Sequence, residues 1–152
     1  MLTVAAIIAV TAVVGALMPA ISRAGSALVS SAEVADQRLS SRVEIIHATG
    51  QDAAVVADAW VKNTGATRIA AIQQTDVFFG PETNFTRVPY GGAGCTAPCW
   101  EYEVENAVEW DPTATLHITI HLEAADALAT GNTYFVKVVA ANGVEDTKFF
   151  TL

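Results

Sequence analysis

The sequence predicts an α+β chain: a long hydrophobic N-terminal α-helix over residues 1–41, then an antiparallel β-sandwich over residues 42–152. Three observations predict it. No charged side chain precedes Arg23. Apolar residues then recur at steps of three and four as far as Ile46. From Arg42 onward the dominant apolar period is two, in short runs separated by Gly, Pro and Asn. There is no βαβ rhythm and no internal repeat.

The first element begins MLTVAAIIAVTAVVGALMPAIS. Leu2 to Ser22 is about the length that crosses a bilayer, near 20 residues or roughly 30 Å. A cleaved secretory signal would need a basic start, a shorter apolar run and an A-x-A-like cut site. The basic start is missing. The apolar stripe also continues through Leu28, Ala32, Ala35, Leu39, Val43 and Ile46, with Ser, Glu, Asp and Arg between. One helix of about 40 residues, roughly 60 Å, is therefore expected. Gly15 and Pro19 weaken such a helix in water but are tolerated where neighbouring helices bury the backbone. Small side chains let helices approach closely where water is absent. The expected packing face is Ala5, Ile8, Ala12, Gly15, Ala16, Pro19 and Ala20, continued by Leu28, Ala32, Ala35 and Leu39. A single-span lipid anchor is the plainer alternative.

The strands follow in order. VEIIHATG covers residues 43–50. AAVVADAWVKN places Val55, Ala57, Ala59 and Val61 on one face and ends at a Thr-Gly turn. RIAAIQQTDVFFG is read as one strand ended by Gly80-Pro81. CWEYEVEN alternates Trp100, Tyr102 and Val104 with Glu101, Glu103 and Glu105. TLHITIHL sets Leu116, Ile118, Ile120 and Leu122 against Thr115, His117, Thr119 and His121. TYFVKVVAANG and VEDTKFFTL form a hairpin through Ala141-Asn142-Gly143. Roughly seven or eight short strands at spacings of about ten to fifteen residues are the signature of a β-sandwich.

Charge is unevenly placed. Residues 1–42 hold Arg23, Arg38 and Arg42 against Glu33 and Asp36, a balance of +1. Residues 43–152 hold 5 Lys or Arg against 14 Asp or Glu, a balance of −9, which together give the net −8. Such a domain repels phosphates, so nucleic acid is not an expected partner. Cys95 and Cys99 lie four apart in GGAGCTAPCW. In a loop this spacing can close a small disulfide in an oxidising compartment, or leave two free thiols.

No constellation marks catalysis. GxSxG, GxGxxG and the P-loop are absent. His117 and His121 would form a metal pair on a helix, but on a strand they are two outward positions with no evident third ligand. EYEVENAVEWD reads as the wet face of a strand rather than a calcium loop. Neither a metal nor a cofactor is expected. The central aromatics Phe78, Phe79, Phe85, Tyr90, Trp100, Tyr102 and Trp110 are expected mostly in the core, with a few left for subunit contact. Asn84-Phe85-Thr86 matches the N-x-T acceptor pattern for glycosylation.

An apolar N-terminal helix joined to an immunoglobulin-like antiparallel sandwich resembles the archaellin and archaellar G protein family, the archaeal flagellin branch of the type IV pilin-like superfamily. VEIIHATG, WVKNTGATRI, DVFFGPETNFTRVPYG, WEYEVEN, TATLHITIH and GNTYFVKVVAANGVEDTKFF carry the resemblance, which spans essentially the whole chain. The resemblance implies a short basic leader removed by a prepilin-type peptidase, so that this sequence starts at or near the mature end. It implies an N-terminal helix that rests first in the cytoplasmic membrane and is then drawn into a helical homopolymer by an assembly ATPase and platform. Bacterial relatives place a Glu five residues in; here Ala5 stands there, so subunit register is expected to rest on small-residue packing. Within the family there are filament subunits and envelope-bound stator or tip components. The small-residue N-terminus favours the filament subunit, an extracellular surface fibre for motility that performs no catalysis.

Overall fold

A computed structural model of the chain describes Ser26, Asp36 and residues 40–152. The chain divides into two units, Met1–Asp36 and Gln37–Leu152. The second unit contains eight strands: β1 (Val43–Gly50), β2 (Val56–Asn63), β3 (Asp76–Pro81), β4 (Thr86–Val88), β5 (Cys99–Glu105), β6 (Thr115–His121), β7 (Thr133–Val139) and β8 (Glu145–Thr151). They form two antiparallel four-stranded sheets, β1-β2-β6-β5 and β4-β3-β7-β8. This is the ABED and CFG strand order of an immunoglobulin sandwich, with β4 added beside the C-position strand.

The expected α+β class is corrected by this result. The described residues form mostly a β-sandwich; apart from the helical positions Ser26, Asp36 and Ser40, their helical elements are two three-residue 3-10 turns, Ile72–Gln74 and Ala124–Asp126. No described helix is long and apolar enough to cross a membrane. The long helix expected over residues 1–41 falls almost wholly outside the described residues. Its C-terminal extension is wrong for a physical reason. Val43 and Ile46 fit a step of three, but both belong to β1, where the backbone bonds to β2 instead. Val43 and Ile45 are buried, whereas Ile46 sits at a register shift and is exposed.

The core lies between the sheets. Inward positions of one sheet (Val43, Ile45, Ala57, Ala59, Val61, Leu116, Ile118, Ile120, Trp100) meet those of the other (Val77, Phe79, Tyr134, Val136, Val138). The alternation that exposes every second residue follows from the two-residue period of a strand. At one end Phe79, Tyr134 and Phe150 stack with ring centroids 5.7–6.3 Å apart. At β5, Trp100 packs edge-on against Tyr90 at 4.9 Å.

Two polar devices fix the loops. Asn63, fully buried at the end of β2, donates its amide protons to the carbonyls of Thr67 (2.9 Å) and Trp110 (3.0 Å). Its side-chain oxygen accepts from the Gly65 N–H at 3.0 Å. The connection from β2 to β3 is thereby tied to the loop between β5 and β6. Gly65 is required there, because an added Cβ would stand 2.5 Å from the Arg42 nitrogen and 2.6 Å from the Ser40 oxygen. At the start of β7 the Tyr134 hydroxyl accepts the Ala129 N–H at 2.7 Å, the tyrosine corner of sandwiches of this order.

The β1 and β8 edges meet and close one side of the sandwich through side chains. The Asp146 carboxylate accepts the Ile45 N–H at 2.7 Å, and the Lys148 ammonium donates to the carbonyls of Ile45 and Ile46 at 3.1 and 3.0 Å. Exposed edge groups at the β1 irregularity are thus satisfied without a further strand.

The sequence misplaces two further elements. Residues 68–75, expected to continue into the FFG strand, form a loop and a 3-10 turn entered through Ala71 at φ 55°. The three residues of β4 carry too little pattern to be seen and are recruited by pairing with β3.

Removing the Asn63 amide leaves the Thr67 carbonyl without a partner, and leaves the Trp110 carbonyl only the Ile69 N–H and the Gly65 N–H only the Arg42 carbonyl. Asn63→Ala is therefore expected to cost about 3 kcal/mol and Tyr134→Phe about 1–2 kcal/mol, read as lower midpoints in urea unfolding.

Candidate functional site

The sandwich offers two outer sheet faces, and they differ in chemistry. On the β1-β2-β6-β5 sheet the outward residues are polar. Trp60 stacks on His117 with centroids 4.4 Å apart and planes 4° from parallel, and His47 leans on the other side at 5.3 Å. The Trp60 indole N–H donates to Glu105 Oε1 at 3.0 Å, across β6. Asp58 Oδ1 lies 2.9 Å from His117 Nε2 and accepts the Thr119 hydroxyl at 3.1 Å. Glu101 meets His121 Nε2 at 3.1 Å and accepts the Gly94 N–H. The Gly94 N–H, first, and the His121 hydrogen bond, second, hold the Glu101 carboxyl below its ordinary value. His117 and His121 thus point outward on one face, each against its own carboxylate. Among the described residues no group of three His, Cys, Asp or Glu could hold a metal ion.

On the β4-β3-β7-β8 sheet the outer face is aromatic. Phe78 on β3, Phe135 on β7 and Phe149 on β8 point outward beside Phe85 of the β3–β4 loop. Phe85 and Phe135 are 4.3 Å apart, and Phe135 and Phe149 are 5.3 Å apart in an edge arrangement. Phe85 is 46% exposed and Phe149 51%. A groove of about 360 Å³ runs between Asp76, Phe78, Phe85, Phe135, Lys137 and Val139. Two ion pairs flank it, Arg87 with Asp76 at 2.6 Å and Lys137 with Glu145 at 2.8 Å.

The expectation that a few aromatics serve contact had named Phe78 and Phe85 but not Phe135 or Phe149. A sequence signal for them exists. Phe78-Phe79, Tyr134-Phe135 and Phe149-Phe150 are adjacent aromatics on strands, and successive strand residues face opposite ways, so one ring of each pair must look outward.

The other expected site residues fall as follows. Ala5, Ile8, Ala12, Gly15, Ala16, Pro19, Ala20, Leu28, Ala32, Ala35 and Leu39 lie outside the described residues. Cys95 and Cys99 form a disulfide with Cα atoms 6.3 Å apart. Gly91 lies against it, because a Cβ there would stand 2.4 Å from that of Cys95. Asn84 is exposed in the β3–β4 loop, next to Phe85.

An immunoglobulin-ordered sandwich with one polar and one aromatic outer face defines a β-sandwich structural module. The sequence pattern of the archaeal-type flagellin family matches residues 1–150, and the chain belongs to that family. The family is a structural component of the archaellum, the archaeal motility apparatus, and is not known as a family of enzymes. Archaellum components are associated with the cell surface. An uncharacterized protein of Archaeoglobus fulgidus is 27% identical over 157 residues, which cover 99% of this chain and 93% of that protein. Among solved structures, a chain of the archaellum periplasmic stator complex of FlaF and FlaG from Sulfolobus acidocaldarius is 25% identical, with a TM-score of 0.62, over 72% of this chain and 88% of that one. The stator protein FlaG from the same organism is 24% identical, with the same TM-score, over 72% of this chain and 99% of that one. The archaeal flagellum of Methanospirillum hungatei is 16% identical, with a TM-score of 0.59, over 97% of this chain and 91% of that one.

Because Glu101 has a folded pKa below its ordinary 4.5, its bonds contribute stability in full above that pH and lose it as pH falls through the lowered folded value. Urea midpoints of Glu101→Gln and the parent are expected to differ at pH 7 and to converge as the pH is lowered toward 3.

Proposed function

We propose that the chain is a G-type periplasmic stator component of the archaellum. The observation that carries this reading is the likeness of its sandwich to a chain of the FlaF–FlaG stator complex at 25% identity. The flagellum likeness, at 16%, speaks to the fold alone. In this reading residues 42–152 form the outer domain, standing outside the membrane, and the apolar stretch from Leu2 to Ser22 holds the chain in it. The Cys95–Cys99 disulfide suits an oxidising, extracytoplasmic setting. The sandwich acts as a rigid post. Its work is contact with other archaellum proteins at the cell envelope, and no bond is made or broken.

A second reading, the filament subunit, is favoured by one observation: the apolar N-terminal sequence is rich in small residues, as close helix-on-helix packing wants. There Ala5, Ala12, Gly15, Ala16 and Ala20, with Ile8, Pro19, Leu28, Ala32, Ala35 and Leu39, would form the contacts between copies in the fibre. A prepilin-type peptidase and an assembly ATPase belong to this reading as upstream partners.

Shearing separates the two. A stator component stays with the envelope when filaments are sheared from cells, and its deletion abolishes swimming. Recovery of the chain as the bulk protein of the sheared filaments overturns the stator reading. Gly15→Leu is expected to abolish filaments only in that second case.

A further inference from the structure

We propose that the open half of the β5 edge, residues 102–105, is a docking site for an extended segment of a different protein, added as a further strand in which basic and apolar side chains alternate. The inference goes beyond the stator reading and does not rest on it.

The first argument is the backbone. Trp100 donates its N–H to the Pro89 carbonyl at 2.9 Å and accepts the Gly91 N–H at 3.0 Å. Its backbone groups therefore turn away from β6. Alternate residues of an antiparallel strand share that direction. The register with β6 is unbroken, from Cys99 opposite His121 to Glu105 opposite Thr115. Tyr102 and Val104 thus aim their N–H and C=O groups at the same edge as Trp100. Residues 89–91 cover the edge only beside Trp100, and the groups of Tyr102 and Val104 have no hydrogen-bond partner among the described residues. The other edges differ. β1 and β8 close on each other through Asp146 and Lys148, and β4 is three residues long. An unpaired edge is a template for a strand of another chain.

The second argument is the side chains such a strand meets. A cavity of about 410 Å³ opens beside this half of β5, lined among others by Ile72, Tyr102, Val104, Val108 and Trp110. Val108 stands there 97% exposed. Arg68 and Glu109, also at the cavity, pair with each other and cancel in charge. Residues directly opposite on paired strands point the same way. Side chains opposite Tyr102 and Val104 therefore enter the cavity and are apolar. Those opposite Glu103 and Glu105 meet carboxylates and are basic. The same carboxylates, within a region that carries −9 over residues 43–152, repel the edge of a second copy of this chain. Charge thus selects a partner of opposite sign.

The test uses the full chain in detergent and two six-residue peptides, one alternating Lys and Val and one alternating Glu and Val. Amide hydrogen exchange is the readout. In the free chain the Tyr102 and Val104 amides are expected to exchange fast, and those of Glu101 and Glu103, which face β6, slowly. The Lys-Val peptide at saturation is expected to slow Tyr102 and Val104 about tenfold or more, and the Glu-Val peptide to leave them unchanged. A Lys-Val peptide methylated on its backbone nitrogens is expected to protect neither. Glu103→Lys and Val108→Asp are each expected to raise the Lys-Val concentration for half-protection severalfold. Their urea midpoints are expected to stay unchanged, since both side chains are exposed. The proposal is overturned if the Lys-Val peptide fails to bind, or binds without slowing Tyr102 and Val104, as a merely electrostatic ligand does. It is equally overturned if those two amides are already slow in the chain alone; quickening on dilution then names a second copy as the occupant. None of these readouts depends on where the chain is found after shearing, so failure here leaves the stator reading standing.

Discussion

A sandwich works as a contact module only if its two sheets are held in one orientation, and here a single buried amide does much of that. Asn63 ends a strand of one sheet at the point where the chain leaves for the other. Its backbone N–H donates to the Ala114 carbonyl and its carbonyl accepts from Thr113. Its side chain holds Thr67, Trp110 and Gly65. One residue therefore binds the crossover loop and the loop before β6 to the same spot, while Trp110, fully buried, fills the space beside it. An apolar side chain of similar size could occupy the volume but would strand the Thr67 carbonyl. The seam of Asp146 and Lys148 against β1 does the equivalent at the opposite edge, where strand pairing has run out.

Fixing the sheets also fixes which way each strand's second set of side chains looks, and that decides the surface chemistry. In the β1-β2-β6-β5 sheet the outward set is carboxylate, imidazole and hydroxyl, crossed by one indole. His117 and His121 are each matched to their own acid rather than gathered round a point, which makes a polar lattice and not a ligand cage. The tight stacking of Trp60 on His117 also covers apolar area that would otherwise stand in water. The opposite sheet spends its outward positions on phenylalanine. Burial of the inner ring of each pair, Phe79, Tyr134 and Phe150, accounts for half of that aromatic content. Nothing in the sandwich core accounts for the outer half.

Much of this was legible in the residues. Strict alternation in TLHITIHL gave the central strand β6 with its correct inner face, because both neighbours preserve the pleat. Asn142-Gly143 marked the last hairpin, where Gly143 takes φ 84° and its N–H closes on Ala140. Other parts were not legible. Residues 68–75 hold enough alanine and isoleucine to mimic a strand, yet the Asn63 contacts to Thr67 and Trp110 draw the chain into a loop. The helical stripe overran into β1 because Val43 and Ile46 fit a step of three, whereas on the strand Val43 is buried and Ile46 is exposed at the register shift. The role of Asn63 carries no sequence signal at all, since an Asn before Thr-Gly looks like any turn residue.

The two faces also bear on what kind of assembly suits the molecule. A uniformly acidic sandwich would keep copies apart, and a uniformly aromatic one would aggregate without direction. Segregating charge on one sheet and balanced ion pairs with aromatic rings on the other leaves a single preferred approach. The acidic face resists collapse onto further copies of the same chain, whereas the aromatic face carries no net charge to oppose a partner.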